Sequence, residues 1–138
     1  MKTSWWMAAL IFGALGCRGH RGLLRPVVTP TRTAAECAPL AKRARAEGVS
    51  VKAQPPRLQG EVSPPLPVPA ELHGKSLDVR LVVDERGRVD VGSLTVLGYS
   101  NVGYNSKLRG AAAQLRFTPA VLDGCAVPQR TVVRYSFE

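Results

Sequence analysis

The chain has 138 residues, three cysteines and a formal charge of +9, from 19 Lys and Arg against 10 Asp and Glu. That length holds one modest domain plus some tail and excludes a second core, since a chain this short buries only about two-thirds of its unfolded surface. A basic surplus ordinarily points to anionic partners such as nucleic acid or acidic lipid, and the compartment decides between them.

The N-terminal residues address the compartment. Lys2 supplies a positive start, Ser4 to Gly16 is uncharged and mostly apolar, and small residues precede Cys17 in Ala14-Leu15-Gly16-Cys17. This is the pattern of an export signal, and residues 1–16 are assigned to it. The apolar run falls short of the roughly 20 residues a helix needs to cross a bilayer core. Ala14 to Cys17 resembles a bacterial lipobox, which implies cleavage before Cys17 and diacylglycerol on its thiol. The alternatives are a plain secretory signal with an incidental Cys17 and an uncleaved anchor. All three take the mature chain out of the cytoplasm. The expected location is the bacterial periplasm, held to a membrane, with the outer membrane favoured over the inner, and nucleic acid drops out as a partner.

Residues 17–54 read as a basic tether with a short helix. Its charge comes from Arg18, Arg21, Arg25, Lys42, Arg43 and Arg45. Near an anionic surface each such residue gains roughly 1 kcal/mol, while the plainer role is to solvate a linker. Thr33-Ala34-Ala35-Glu36 has capping-box spacing, but Pro39 stands where a helix begun there needs a main-chain donor. The helix is therefore predicted over Pro39 to Glu47, with Gly48 as its stop. Cys37 and Cys125 remain if Cys17 carries lipid. An oxidising exterior favours their pairing, the alternative being two separate buried thiols.

From Val49 to Pro69 the recurring prolines exclude a helix and predict an extended lead-in. Past Gly74, Leu77, Val79, Leu81 and Val83 alternate with Asp78, Arg80 and Val82, which predicts a strand with one apolar face. Asp84-Glu85-Arg86-Gly87 is a tight turn into a second strand reaching Leu97, so the two form an antiparallel hairpin. Asn105 or Ser106 then caps a helix whose Leu108, Ala111, Ala112 and Leu115 recur at spacings of three and four. Phe117-Thr118-Pro119-Ala120 ends that helix and Asp123-Gly124 marks another turn. In the last strand Val127, Gln129, Thr131, Val133, Tyr135 and Phe137 share one side, and Pro128, Arg130, Val132, Arg134 and Ser136 the other. Val133, Tyr135 and Phe137 are expected to face the helix stripe.

Several of these pieces, in this order, carry a resemblance. Pro55 to Pro65, Gly74, the strand Leu77 to Val83, Asp84 to Val89, the Ala-rich helix, Leu115-Arg116-Phe117-Thr118-Pro119-Ala120, Asp123-Gly124, Val127 and Tyr135-Ser136-Phe137 resemble the C-terminal domain of TonB-type proteins, over residues 55–138. The resemblance implies an α+β fold, a three-stranded antiparallel sheet with one helix packed on a face, in the order strand-strand-helix-strand. It also implies capture of an extended peptide or another envelope protein by strand addition at a sheet edge. The candidate edge is Gln129, Arg130, Thr131, Val132, Val133, Arg134 and Tyr135. The resemblance does not extend to the membrane helix and long Pro, Glu and Lys rich spacer of energy transducers, so only the binding fold is carried over.

The sequence offers no chemistry. His20 and His73 sit in no metal-ligand spacing, Cys37 and Cys125 form no C-x-x-C pair, and neither a nucleophile elbow nor a phosphate loop occurs. No enzyme activity, catalytic residue, metal, cofactor or small-molecule substrate is expected. The alternative to a binding module is a structural envelope lipoprotein, held by its basic tether to anionic lipid or wall polymer.

Overall fold

The computed structural model describes residues 26–48 and 53–138. The expected signal, the lipobox with Cys17, His20 and the start of the lead-in at residues 49–52 lie outside the described residues. The fold is α+β, with two α-helices and antiparallel sheets among the described residues.

Helix α1 spans Ala34–Glu47, five residues more at its start than the sequence predicts. Thr33 closes a complete capping box: its hydroxyl accepts from the Glu36 N–H, and the Glu36 carboxylate accepts from the Thr33 N–H at 2.8 Å. Pro39 sits inside the helix. It deletes one main-chain bond in the second turn, and the reciprocal cap satisfies donors one turn earlier. The stop at Gly48 is as predicted, with φ at 85° and its N–H on the Ala44 carbonyl.

The lead-in is less passive than its prolines imply. Strand β1, Arg57–Gln59, pairs with β4, Arg116–Thr118. Leu58, Val62 and Val68 pack half-buried against the main core. A 3-10 turn at Ala70–Leu72 buries Leu72 ahead of the central sheet.

In the central sheet strand β2, Ser76–Val83, lies between β3, Val89–Val96, and β7, Gln129–Ser136, and both pairings are antiparallel. Leu77, Val79, Leu81 and Val83 are buried as their alternation predicts. In the turn between these strands the Asp84 carboxylate accepts from the N–H groups of Arg86 and Arg88. Gly87 takes φ of 77° and donates to the Asp84 carbonyl. A Cβ at Gly87 would collide with the main-chain oxygen of Phe117, so the turn requires glycine for conformation and for space.

Helix α2, Val102–Ala113, begins one turn before the predicted caps: Asn101 accepts from the Tyr104 N–H, while Asn105 donates to the Tyr99 carbonyl instead. That earlier start brings Tyr104 into the core beside Leu108 and Ala112. Short strands β5, Ala120–Leu122, and β6, Cys125–Val127, form a hairpin around Asp123 and Gly124, both at positive φ (51° and 78°) as a type I′ turn demands. Pro128 separates β6 from β7, Gln129–Ser136. The single last strand of the sequence reading is thus two, and β1, β4, β5 and β6 stand outside the simple strand-strand-helix-strand order.

Two cores result. Val133, Tyr135 and Phe137 join Leu108, Ala112 and the β2 side chains in the larger one, with Leu115 packed at its margin. The smaller one holds Cys37, Ala44, Ala120, Cys125 and Val127. There Cys37 and Cys125 form a disulfide, Cα to Cα 5.4 Å, that fixes α1 onto β6. Thr31 and Arg32 also donate main-chain N–H groups to the Gly124 carbonyl. The described part of the expected tether therefore lies against the folded domain.

Candidate functional site

The main chain of β7 is where the fold leaves hydrogen-bonding capacity unspent. In an antiparallel ladder, alternate residues turn both N–H and C=O toward one neighbour. Asp78 accepts from Leu97 and Val82 donates to Ser93 Oγ, so the even-numbered residues of β2 face β3. The odd-numbered ones face β7, where Leu77, Val79, Leu81 and Val83 stand opposite Tyr135, Val133, Thr131 and Gln129. Phe137 continues this parity by donating to the Lys75 carbonyl at 2.9 Å. It follows that Arg130, Val132, Arg134 and Ser136 direct their main-chain groups away from β2. Among the described residues no strand pairs with that side of β7.

The seven predicted edge residues therefore divide. Gln129, Thr131, Val133 and Tyr135 spend their main chain on β2 and turn their side chains toward the core side. Arg130, Val132 and Arg134 offer the outer edge, together with Ser136, which the sequence reading left out. Period-two alternation separates the two faces of a strand, but which neighbour each main-chain group serves depends on the pairing partner. That information is not in the strand itself.

The opposite edge of the sheet is built differently. Between Arg80 and Val82 the β2–β3 register shifts, and the irregularity in β3 is locked by Asp90 accepting from the Gly92 N–H and by Ser93 donating to the Asp90 carbonyl. A bulge of this kind blunts an edge against pairing. By contrast, β7 stays in one register with β2 over all eight residues.

Side chains decorate the edge on the solvent side of the sheet. Val132 is 51% exposed. Arg134 forks onto Asp78 through two hydrogen bonds, 2.7 and 2.9 Å, while no ion pair holds Arg80 or Arg130 among the described residues. At the start of β7 an open groove of about 610 Å³ is walled by Arg45, Glu47, Val82, Asp90, Gln129 and Arg130.

The Arg134 guanidinium, by hydrogen bonding and charge, holds the Asp78 carboxyl below its ordinary value. A depressed folded pKa contributes stability that is present above the ordinary aspartate value and lost as pH falls through the folded one. Stability measured by urea unfolding is expected to drop in that acidic window, and Asp78→Asn is expected to flatten this part of the profile. An unchanged profile in Asp78→Asn would mean that the pair does not contribute. Burial raises the Tyr135 hydroxyl pKa, and that hydroxyl has no hydrogen-bond partner among the described residues. Tyr135 is thus a core residue, removed from the edge.

The His73 ring lies 2.9 Å from the Glu138 carbonyl through Nδ1, and no group of three or more His, Cys, Asp or Glu able to hold a metal occurs among the described residues. No described helix is long and apolar enough to cross a membrane. No protein-family model matches the chain, and no curated protein matches it.

Proposed function

We propose that this protein is an envelope-anchored binding module of the TonB C-terminal type, which captures an extended peptide or another envelope protein by adding it as a strand along β7, without a role in energy transduction. The observation that carries this reading is the regular outer edge of β7, unpaired among the described residues, set against the bulged edge of β3. Strand addition draws affinity from main-chain bonds, here to Arg130, Val132, Arg134 and Ser136, and selectivity from side chains beside the edge. The helix-covered sheet supports the family resemblance at the level of architecture.

The test follows from the parity of the strand. Val132→Pro removes one outward N–H and leaves the β2 ladder with all its donors, a substitution edge strands tolerate. It is expected to abolish capture, read as loss of the partner crosslink from a photoreactive residue at Ser136, with circular dichroism unchanged. Val133→Pro instead removes a donor to β2 and is expected to unfold the sheet. A folded Val132→Pro protein that still yields the same crosslink would eliminate the edge as the site. Capture by strand addition should also survive high salt, whereas attachment through the basic segment alone should collapse.

Anchoring is proposed at Cys17 through the lipobox-like Ala14 to Cys17. Cys17→Ser is expected to leave the chain without acyl mass and with residues 1–16 still attached. A mature N-terminus at another residue, free of acyl groups, would overturn this.

A further inference from the structure

A second surface lies on α1, and its chemistry differs from that of the β7 edge. Between α1, the segment before it, β6 and the β2–β3 turn runs an open groove of about 570 Å³. Pro30, Ala34, Ala38, Ala41 and Ala126 give it a mostly apolar floor, with the Cys37–Cys125 bridge beneath. Its rim is cationic: Arg32, Lys42, Arg45 and Arg86 line it against a single carboxylate, Glu85, and that carboxylate is already engaged by Arg45. No ion pair holds Arg32, Lys42 or Arg86 among the described residues. Just upstream of Pro30, Val27 and Val28 are 53% and 51% exposed.

An apolar floor, three cations outside any ion pair among the described residues and two exposed valines on the adjoining chain match one kind of surface closely. Anionic phospholipid offers phosphates to the rim and glycerol and upper acyl carbons to the floor and the valines. An acidic protein would need an apolar recess placed in register with its carboxylates to receive the valines, whereas a headgroup layer offers phosphates and apolar depth at every point. We infer that the α1 groove docks on the anionic headgroup layer of a membrane, with Arg32, Lys42 and Arg86 on lipid phosphates and Val27 and Val28 entering the interface. The disulfide has a clear role in this arrangement. It fixes the groove, because the rest of α1's hold on the domain comes from the small side chains of Ala41 and Ala44, half-buried Leu40 and the Arg45–Glu85 pair.

The site is independent of strand capture, so each fails separately. Docking would set the orientation of the domain on the membrane whether or not Cys17 carries lipid.

The experiment uses the mature chain, residues 17–138 carrying Cys17→Ser, so that neither an acyl chain nor the apolar run Ser4 to Gly16 contributes, and sedimentation with sucrose-loaded vesicles of phosphatidylcholine alone or with 30% phosphatidylglycerol. Binding is expected to favour the anionic vesicles and to weaken with salt. The triple variant Arg32→Gln, Lys42→Gln and Arg86→Gln is expected to lose roughly 100-fold in partition onto them, at about one increment of surface attraction per cation. A matched triple elsewhere, Arg80→Gln, Lys107→Gln and Arg109→Gln, is expected to stay within about threefold of the parent. Ala38→Glu, an exposed floor position, is expected to weaken docking without removing any cation. Val132→Pro is expected to dock normally. Equal losses in the two triples would reduce the effect to overall charge and overturn the groove as the site. So would equal partition onto both vesicle types, or full binding by Ala38→Glu.

Discussion

Phe137→Ala is expected to lower the unfolding free energy by about 3 to 5 kcal/mol, measured as a fall in the urea midpoint at unchanged slope. Phe137 is 2% exposed and sits in the larger core with Leu108, Ala112 and Tyr135. Its ring packs at a tilt on Tyr104, centroids 6.1 Å apart, and Tyr104 in turn meets Tyr99 edge to face. Truncation removes an entire aromatic contact while the main chain stays tied. The Phe137 N–H still reaches Lys75, and its carbonyl still accepts from Gly74 at 2.6 Å. With the backbone held at both groups, the site has little freedom to collapse, which places the cost at the upper part of that range. A loss below about 1 kcal/mol would show that the ring is not the packing unit described.

Charge reversal on the solvent face gives the matching contrast. Arg130→Glu is expected to leave stability unchanged, since no ion pair involves Arg130 among the described residues. The sequence treats Arg130 and Arg134 alike, as exposed cations on one face. The structure separates them, because Arg134→Glu would set a carboxylate against Asp78, its present partner.

Alternation and turn chemistry carried most of the legible structure. The apolar side of Leu77 to Val83, the Asp84-to-Gly87 and Asp123-Gly124 turns, and the inward set Val133, Tyr135 and Phe137 are each local patterns with one geometric solution. What escaped reading depends on pairing across the chain. Strand β1 is three residues in a proline-rich run, and only its register with β4, Leu58 opposite Phe117, makes it a strand. The start of α2 turned on Asn101 winning the cap from Asn105, whose side chain is drawn to the Tyr99 carbonyl. The outward residues of β7 emerged only once β2 was known to lie on its other side. Helix α1 is the clearest case. It presents alanines where a packed helix usually shows large apolar residues, so nothing in its periodicity distinguishes it from a solvated linker helix.

That weakness in α1 is why the disulfide is expected to matter. Replacing Cys37 and Cys125 with alanine is expected to cost about 4 to 5 kcal/mol, because the bridge closes a loop of 88 residues and restricts the unfolded chain accordingly. A domain of this size has roughly 5 to 15 kcal/mol in total, so the loss removes a large share of its stability. The measurement is urea unfolding of the oxidised parent against the double alanine variant, after non-reducing peptide mapping has shown Cys37 joined to Cys125. Hydrogen exchange adds a local signature. Without the bridge, α1 retains its capping box, three buried small residues and the Arg45–Glu85 pair, while the core of β2, β7 and α2 retains all its aromatic and aliphatic contacts. The amides of α1 are therefore expected to lose protection well before those of β2. Coincident urea midpoints for the two proteins would mean that the bridge constrains nothing in the unfolded chain. Equal protection of α1 with and without it would mean that the helix holds to β6 by packing alone.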